Sequence, residues 1–131
     1  NPDKIRIVHR HFPMDHKFNP LVQEPYHVGA GTLALFAIYA KTEGKFWEAN
    51  DYFFLIGAQR EAFGTSGIAS ILGLSNAGLL NALNNQEYLL KLLGDIRDGL
   101  ELGITATPAY LIDGKLYEGQ IPPRIITEAL N

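Results

Sequence analysis

Four histidines, fourteen acidic residues and no cysteine define the chemistry open to this chain. His9 and His11 are two residues apart, which places both imidazoles on one side of an extended segment. With His16 or His27 nearby, that pair could form the edge of a metal site. No acidic or cysteine ligand shares the spacing, so no ligand framework is completed and the pair reads as structural. Glu48 and Asp51 could pair as acid and base, but three residues apart on a helix they form an ordinary solvated face. Gly64-Thr65-Ser66-Gly67 ahead of a helix offers backbone donors to an anion. It lacks the lysine and the glycine spacing of a phosphate loop, so it reads as a turn with an N-cap. Phe46, Trp47, Phe53 and Phe54 could make a ligand cage; their helical spacing favours core packing instead. No Ser, His and Asp set has the local context of an activated nucleophile. Without a thiolate, the chain by itself performs no thiol–disulfide exchange.

The elements that would carry these residues follow from periodicity. Residues 4–12 (KIRIVHRHF) are rich in β-branched and aromatic side chains and stop at Pro13, so a strand is expected. Residues 13–26 hold three prolines with Asp15 and Asn19, marking a long ordered loop. A helix is expected from Val28 to about Lys41, with Val28, Thr32, Leu35, Phe36 and Tyr39 at helical spacing. Its small residues, Gly29, Ala30, Gly31, Ala34 and Ala37, would let neighbours approach on more than one side. A second helix follows Gly44, placing Phe46, Trp47, Phe53 and Phe54 inward. Two short helical turns follow at 65–72 and 76–83, capped by Thr65 or Ser66 and by Ser75. A longer helix runs from Gln86 to Leu102, striped by Leu89, Leu92, Leu93, Ile96 and Leu100 and closed by Gly103. The period then changes. Residues 109–113 and 115–120 flank Asp113-Gly114, the dipeptide suited to a tight hairpin turn. Pro122 and Pro123 open a last helix through Leu130.

A strand, a long helical crossover and a hairpin predict an α/β fold: a mixed sheet with helices on its faces. With 131 residues, 47% hydrophobic and 19% charged, the chain is a single ordinary globular domain. A net charge of −3 without a basic run argues against nucleic acid as a partner. The longest apolar stretch, about 13 residues near 28–40, is too short to span a bilayer.

Three stretches carry a family resemblance. Thr105-Ala106-Thr107-Pro108-Ala109, leading into Tyr110 and the Asp113-Gly114-Lys115 turn, resembles the cis-proline segment and hairpin of thioredoxin-fold oxidoreductases. Gly44-Lys45-Phe46-Trp47-Glu48, in an inserted helical region, is similar to the DsbA-like branch, as is the Leu102-Gly103-Ile104 ending. Arg10-His11-Phe12-Pro13-Met14-Asp15 resembles that branch's second strand and following loop. The ordered set spans nearly the whole chain.

The resemblance implies one thioredoxin-like domain over residues 1–131, with a helical insertion at about 28–102 and a hairpin and last helix at 109–130. It also implies that an N-terminal strand and Cys-x-x-Cys helix are missing. That strand would lie between the 4–12 and 109–113 strands. Its gap would be filled by another copy, by a partner segment, or by direct pairing of the two strands. The implied function is disulfide exchange on extended protein substrates, with Thr107 and Pro108 as the substrate-binding residues and no cofactor. The substrate would bind by strand addition, and a homo-oligomer or strand exchange would fill the gap. A periplasmic or otherwise extracytoplasmic location follows from the resemblance alone. Some relatives, including domains associated with vitamin K epoxide reductase-like proteins, carry a cysteine in place of Phe18 and a second near Gly31 or Thr32. Two other readings stay open: a redox-dead module binding peptides or partners, and a glutathione-dependent transferase or isomerase relative.

Overall fold

The computed structural model describes residues 2–59 and 63–131. Among them the chain forms six helices and one two-stranded sheet, in the order α1 (Ala30–Thr42), α2 (Phe46–Gln59), α3 (Thr65–Leu72), α4 (Asn76–Ala82), α5 (Gln86–Glu101), β1 (Ala109–Ile112), β2 (Lys115–Glu118) and α6 (Pro123–Leu130). None of these helices is long and apolar enough to cross a membrane.

The small residues of α1 do what their size permits. Ala34, Leu35, Phe36, Ala37, Ile38 and Ala40 are all buried, so the helix is covered on opposite sides. On one side Phe36, Ala37 and Ala40 pack with Phe53 and Ile56 of α2, Ile68 and Leu72 of α3, and Leu79 of α4. On the other, Ala34, Leu35 and Ile38 meet Leu92 and Ile96 of α5, with Phe12 and Phe18 closing the edge. A buried carboxylate starts α1: Asp15 accepts hydrogen bonds from the N–H groups of Gly29 and Gly31, at 3.2 and 3.0 Å. Those donors would otherwise be orphaned at the helix start. The 13–26 loop is ordered as expected, with Asn19 donating to the Pro13 carbonyl and accepting from the Leu21 N–H. Gly44, at φ 71°, turns the chain out of α1, and Lys45 then donates to the Leu72 and Gly73 carbonyls at the end of α3. Ser75 caps α4 as expected. The N-cap of α3 is Gly64, not Thr65 or Ser66, and it uses no side chain.

The α/β, thioredoxin-like expectation is overturned. The fold is mainly helical, and the only sheet among the described residues is the antiparallel pair β1–β2. Residues 4–12 form no strand, so among the described residues there is no parallel crossover and no central sheet. Direct pairing of residues 4–12 with β1 is also absent among the described residues. Ile7 and Val8 are 72% and 65% exposed. The reason is physical: β-branched residues hold a strand only when a ladder closes on them, and among the described residues the backbone of 4–10 bonds to no other backbone. Trp47 and Phe54 were expected inward and instead face solvent, at 52% and 71% exposure, while Phe53 is buried. Leu93 of α5 is likewise exposed.

No residue in 2–10 or 100–131 is buried, so the core belongs to the helical part alone. A compact monomer of 14.5 kDa exposes roughly 6,900 Å², whereas this chain exposes 8757 Å².

Candidate functional site

The hairpin defines a strand edge. Asp113 and Gly114 both have positive φ, 49° and 78°, the turn whose twist suits two antiparallel strands joined by two residues. Closing the loop on the Ile112–Lys115 pair makes that pair hydrogen-bonded, and hydrogen bonding then alternates along the ladder. Tyr110–Tyr117 is the next bonded pair, and the Gly119 N–H donating to the Pro108 carbonyl at 2.8 Å continues the series. The backbone groups of Ala109 and Leu111 therefore point the other way. They have no backbone partner among the described residues.

Thr107 and Pro108, which the resemblance implies as substrate-binding residues, are exposed and lead into this edge, and the peptide bond between them is cis. Glu118, at the end of β2, reaches back to hold the turn. Its carboxylate accepts from the Thr105 N–H at 2.7 Å and from the Thr105 hydroxyl at 2.9 Å. These two bonds, the backbone one first, hold the Glu118 carboxyl below its usual range. Sequence reading missed Glu118. Its position opposite Ala109, the residue after Pro108, was the available signal.

Beside the open edge lies a cleft of about 460 Å³, walled on one side by residues 4–6 and on the other by β1 and α6. Ile5, Leu111, Ile121, Ile125 and Ile126 make it apolar, while Lys4 and Arg6 put cationic groups on the first wall. The Lys4 ammonium donates to the Leu130 carbonyl, tying that wall to the end of α6. The unpaired edge of β1 and this cleft meet at Leu111. Comparison with protein-family models, curated proteins and solved structures finds no match to this chain.

A second cluster anchors the same wall. The rings of His9 and His11 meet edge-on, with centroids 4.8 Å apart. His9 also lies 4.9 Å from the Phe46 ring and 6.5 Å from Trp47. Beneath them Asp95 of α5, only 3% exposed, accepts from the His11 N–H, from Arg10 and from Lys91, at 3.0, 3.0 and 2.8 Å. Burial alone would raise the Asp95 carboxyl, but these three hydrogen bonds outweigh it and hold it below its usual range. Burial pushes His11 down to about 4, reinforced by His9 and opposed by Asp95. Burial lowers His9 too. The pairing of His9 and His11 on one side was legible from their spacing; the strand expected to carry it was not formed. Asp95 was missed, though its place three residues after Leu92 and next to Ile96 put it on the inward face of α5. His16 and His27 do not join the pair, and no group of three His, Cys, Asp or Glu side chains is gathered for a metal among the described residues.

The structure also brings positions 18 and 31 together. A Cβ built on Gly31 would lie 2.1 Å from the Phe18 ring, so the ring fills the space of a Gly31 side chain.

Proposed function

We propose that this chain is the substrate-receiving portion of a DsbA-like thiol–disulfide oxidoreductase, working in an extracytoplasmic compartment such as the periplasm and inactive in exchange by itself. It takes an extended polypeptide along β1 by strand addition. The observation that carries this reading is the open edge of β1: the Ala109 and Leu111 backbone groups have no backbone partner among the described residues, and Leu111 lines a largely apolar cleft. Strand addition supplies main-chain affinity at such an edge, and the apolar lining selects side chains on alternate positions of the guest. The contact of positions 18 and 31 is a further support, since the resemblance implies cysteines there or close by. The chemistry of the whole enzyme is attack of a thiolate on a disulfide sulfur to form a mixed disulfide, which a second thiol then resolves. With no cysteine in the chain, both thiols must come from a segment that meets this edge.

A proline at position 111 tests the edge. The Leu111 N–H is not used by the hairpin, so Leu111→Pro removes an outward donor and leaves the β1–β2 bonds intact. Fluorescent extended peptides should bind the unmodified chain and lose at least tenfold in affinity to Leu111→Pro; equal binding would end the strand-addition reading. The chain alone should neither reduce insulin nor oxidise dithiols above background. A strand-and-helix segment bearing Cys-x-x-Cys, supplied in trans, should compete with those peptides and restore dithiol oxidation. Competition without turnover would favour the second reading, a redox-inactive binding module, for which the absence of cysteine speaks directly.

A further inference from the structure

Residues 4–10 reach the helical body through very few contacts. None of them is buried, and their backbone makes no hydrogen bond with other backbone among the described residues. The first fixed points are the His9 ring against Phe46, the Arg10 guanidinium and the His11 N–H on Asp95. Phe12 follows, packed where a Cβ on Gly99 would stand. Beyond that anchor, the segment swings out to form one wall of the cleft beside β1.

We propose that residues 4–10 are a hinged wall of this cleft, and that the His9–His11 pair is a latch that holds the wall at neutral pH and frees it in acid. The purpose assigned to the latch rests on the cleft being the peptide site; the latch itself does not. Asp95, Lys91 and, through Arg10, Asp98 face it from α5, and the charge of Lys41 reaches it from α1. From α2 it meets the uncharged rings of Phe46 and Trp47. Two protonated imidazoles 4.8 Å apart, beside Arg10 and Lys91, would set four cations against the carboxylates of Asp95 and Asp98.

The direction follows from linkage. His11 titrates near 4 when latched and near its ordinary 6.5 when released, so protons favour release. The latch is at full strength above pH 6.5 and weakens as the pH falls toward 4. Asp95, held below its ordinary 3.8, adds to release only at lower pH. Between pH 7 and pH 4.5, His11 alone accounts for a roughly 50-fold change in the latching equilibrium.

Hydrogen exchange of the His11 amide in the full chain reads this directly. Its protection factor should fall by about that factor between pH 7 and pH 4.5, while α1 amides keep theirs. The emission of Trp47, the single tryptophan, should change over the same range as the His9 ring leaves it. His11→Phe keeps a ring on Phe46 without a proton to gain, and should hold its protection at pH 4.5. If that variant does not fold, the His11 ring titration by NMR in the unaltered chain decides, with a midpoint well below 6.5 expected. A pH-independent His11 amide, or a His11 ring that titrates normally, would overturn the latch. Peptide affinity measured alongside separates the two ideas: no peptide binding at any pH defeats the functional reading and leaves the exchange result to judge the latch.

Discussion

Phe18 and Gly31 occupy one space between them, because the loop that Asp15 ties to the start of α1 folds its phenylalanine back over the first turn of the helix. The Phe18 Cγ is 2.8 Å from the point where a Gly31 Cβ would stand. Adding one carbon–carbon bond of about 1.5 Å puts the two Cβ positions no more than about 4.3 Å apart, within the span of a disulfide. The double variant Phe18→Cys with Gly31→Cys should therefore form an intramolecular bridge on mild oxidation, seen as a loss of two free thiols and of two mass units. A pair that stays reduced, or links only between chains, would show that these positions do not meet in that geometry. Gly31→Ala alone should destabilise the chain, since the ring and the new methyl compete for one volume.

Two glycines of α5 separate the helix's own preferences from its packing. Gly94 and Gly99 sit five residues apart, and alanine favours either backbone position by up to about 1 kcal/mol. At Gly94 a new Cβ meets nothing within 4 Å, so Gly94→Ala should raise the urea midpoint by an amount equivalent to about 0.5–1 kcal/mol. At Gly99 it would meet the Phe12 ring at 2.5 Å. Displacing that ring disturbs the anchor of the hinged wall, so Gly99→Ala should lower the midpoint, by about 1–2 kcal/mol. Two stabilising substitutions, or two destabilising ones, would contradict this division of α5 into a free face and a packed face.

Across the whole molecule, stability is divided between a helical body that owns the core and a hairpin–α6 unit that owns none of it. A two-stranded hairpin is marginal without a face to pack on, and α6 contributes no buried residue. Native-state exchange should rank amides of α1 and α5 as the most protected and those of β1, β2 and α6 as the least. Saturating peptide should raise protection in the hairpin first, because a ligand stabilises the state that binds it. Equal protection throughout would mean that the surplus surface is not a weakness of the fold.

Local chemistry determined a good deal of this. The helical periodicity of α1 and α5, the small residues that let α1 be covered on two sides, the Ser75 cap, the Gly103 stop and the Asp113-Gly114 turn all act within a few residues, and each was legible. The type of segment 4–12 was not legible, because a strand exists only with a partner, and β-branched side chains do not supply one. Nor was the outward turn of Trp47 and Phe54, since aromatic spacing on α2 does not say which face a neighbouring helix will cover. Asp95 and Glu118 became visible as organising residues only through bonds to chain 84 and 13 residues away. Side-chain sequence sets what each element prefers; the pairing of distant backbone and the choice of buried face are settled only when the elements meet.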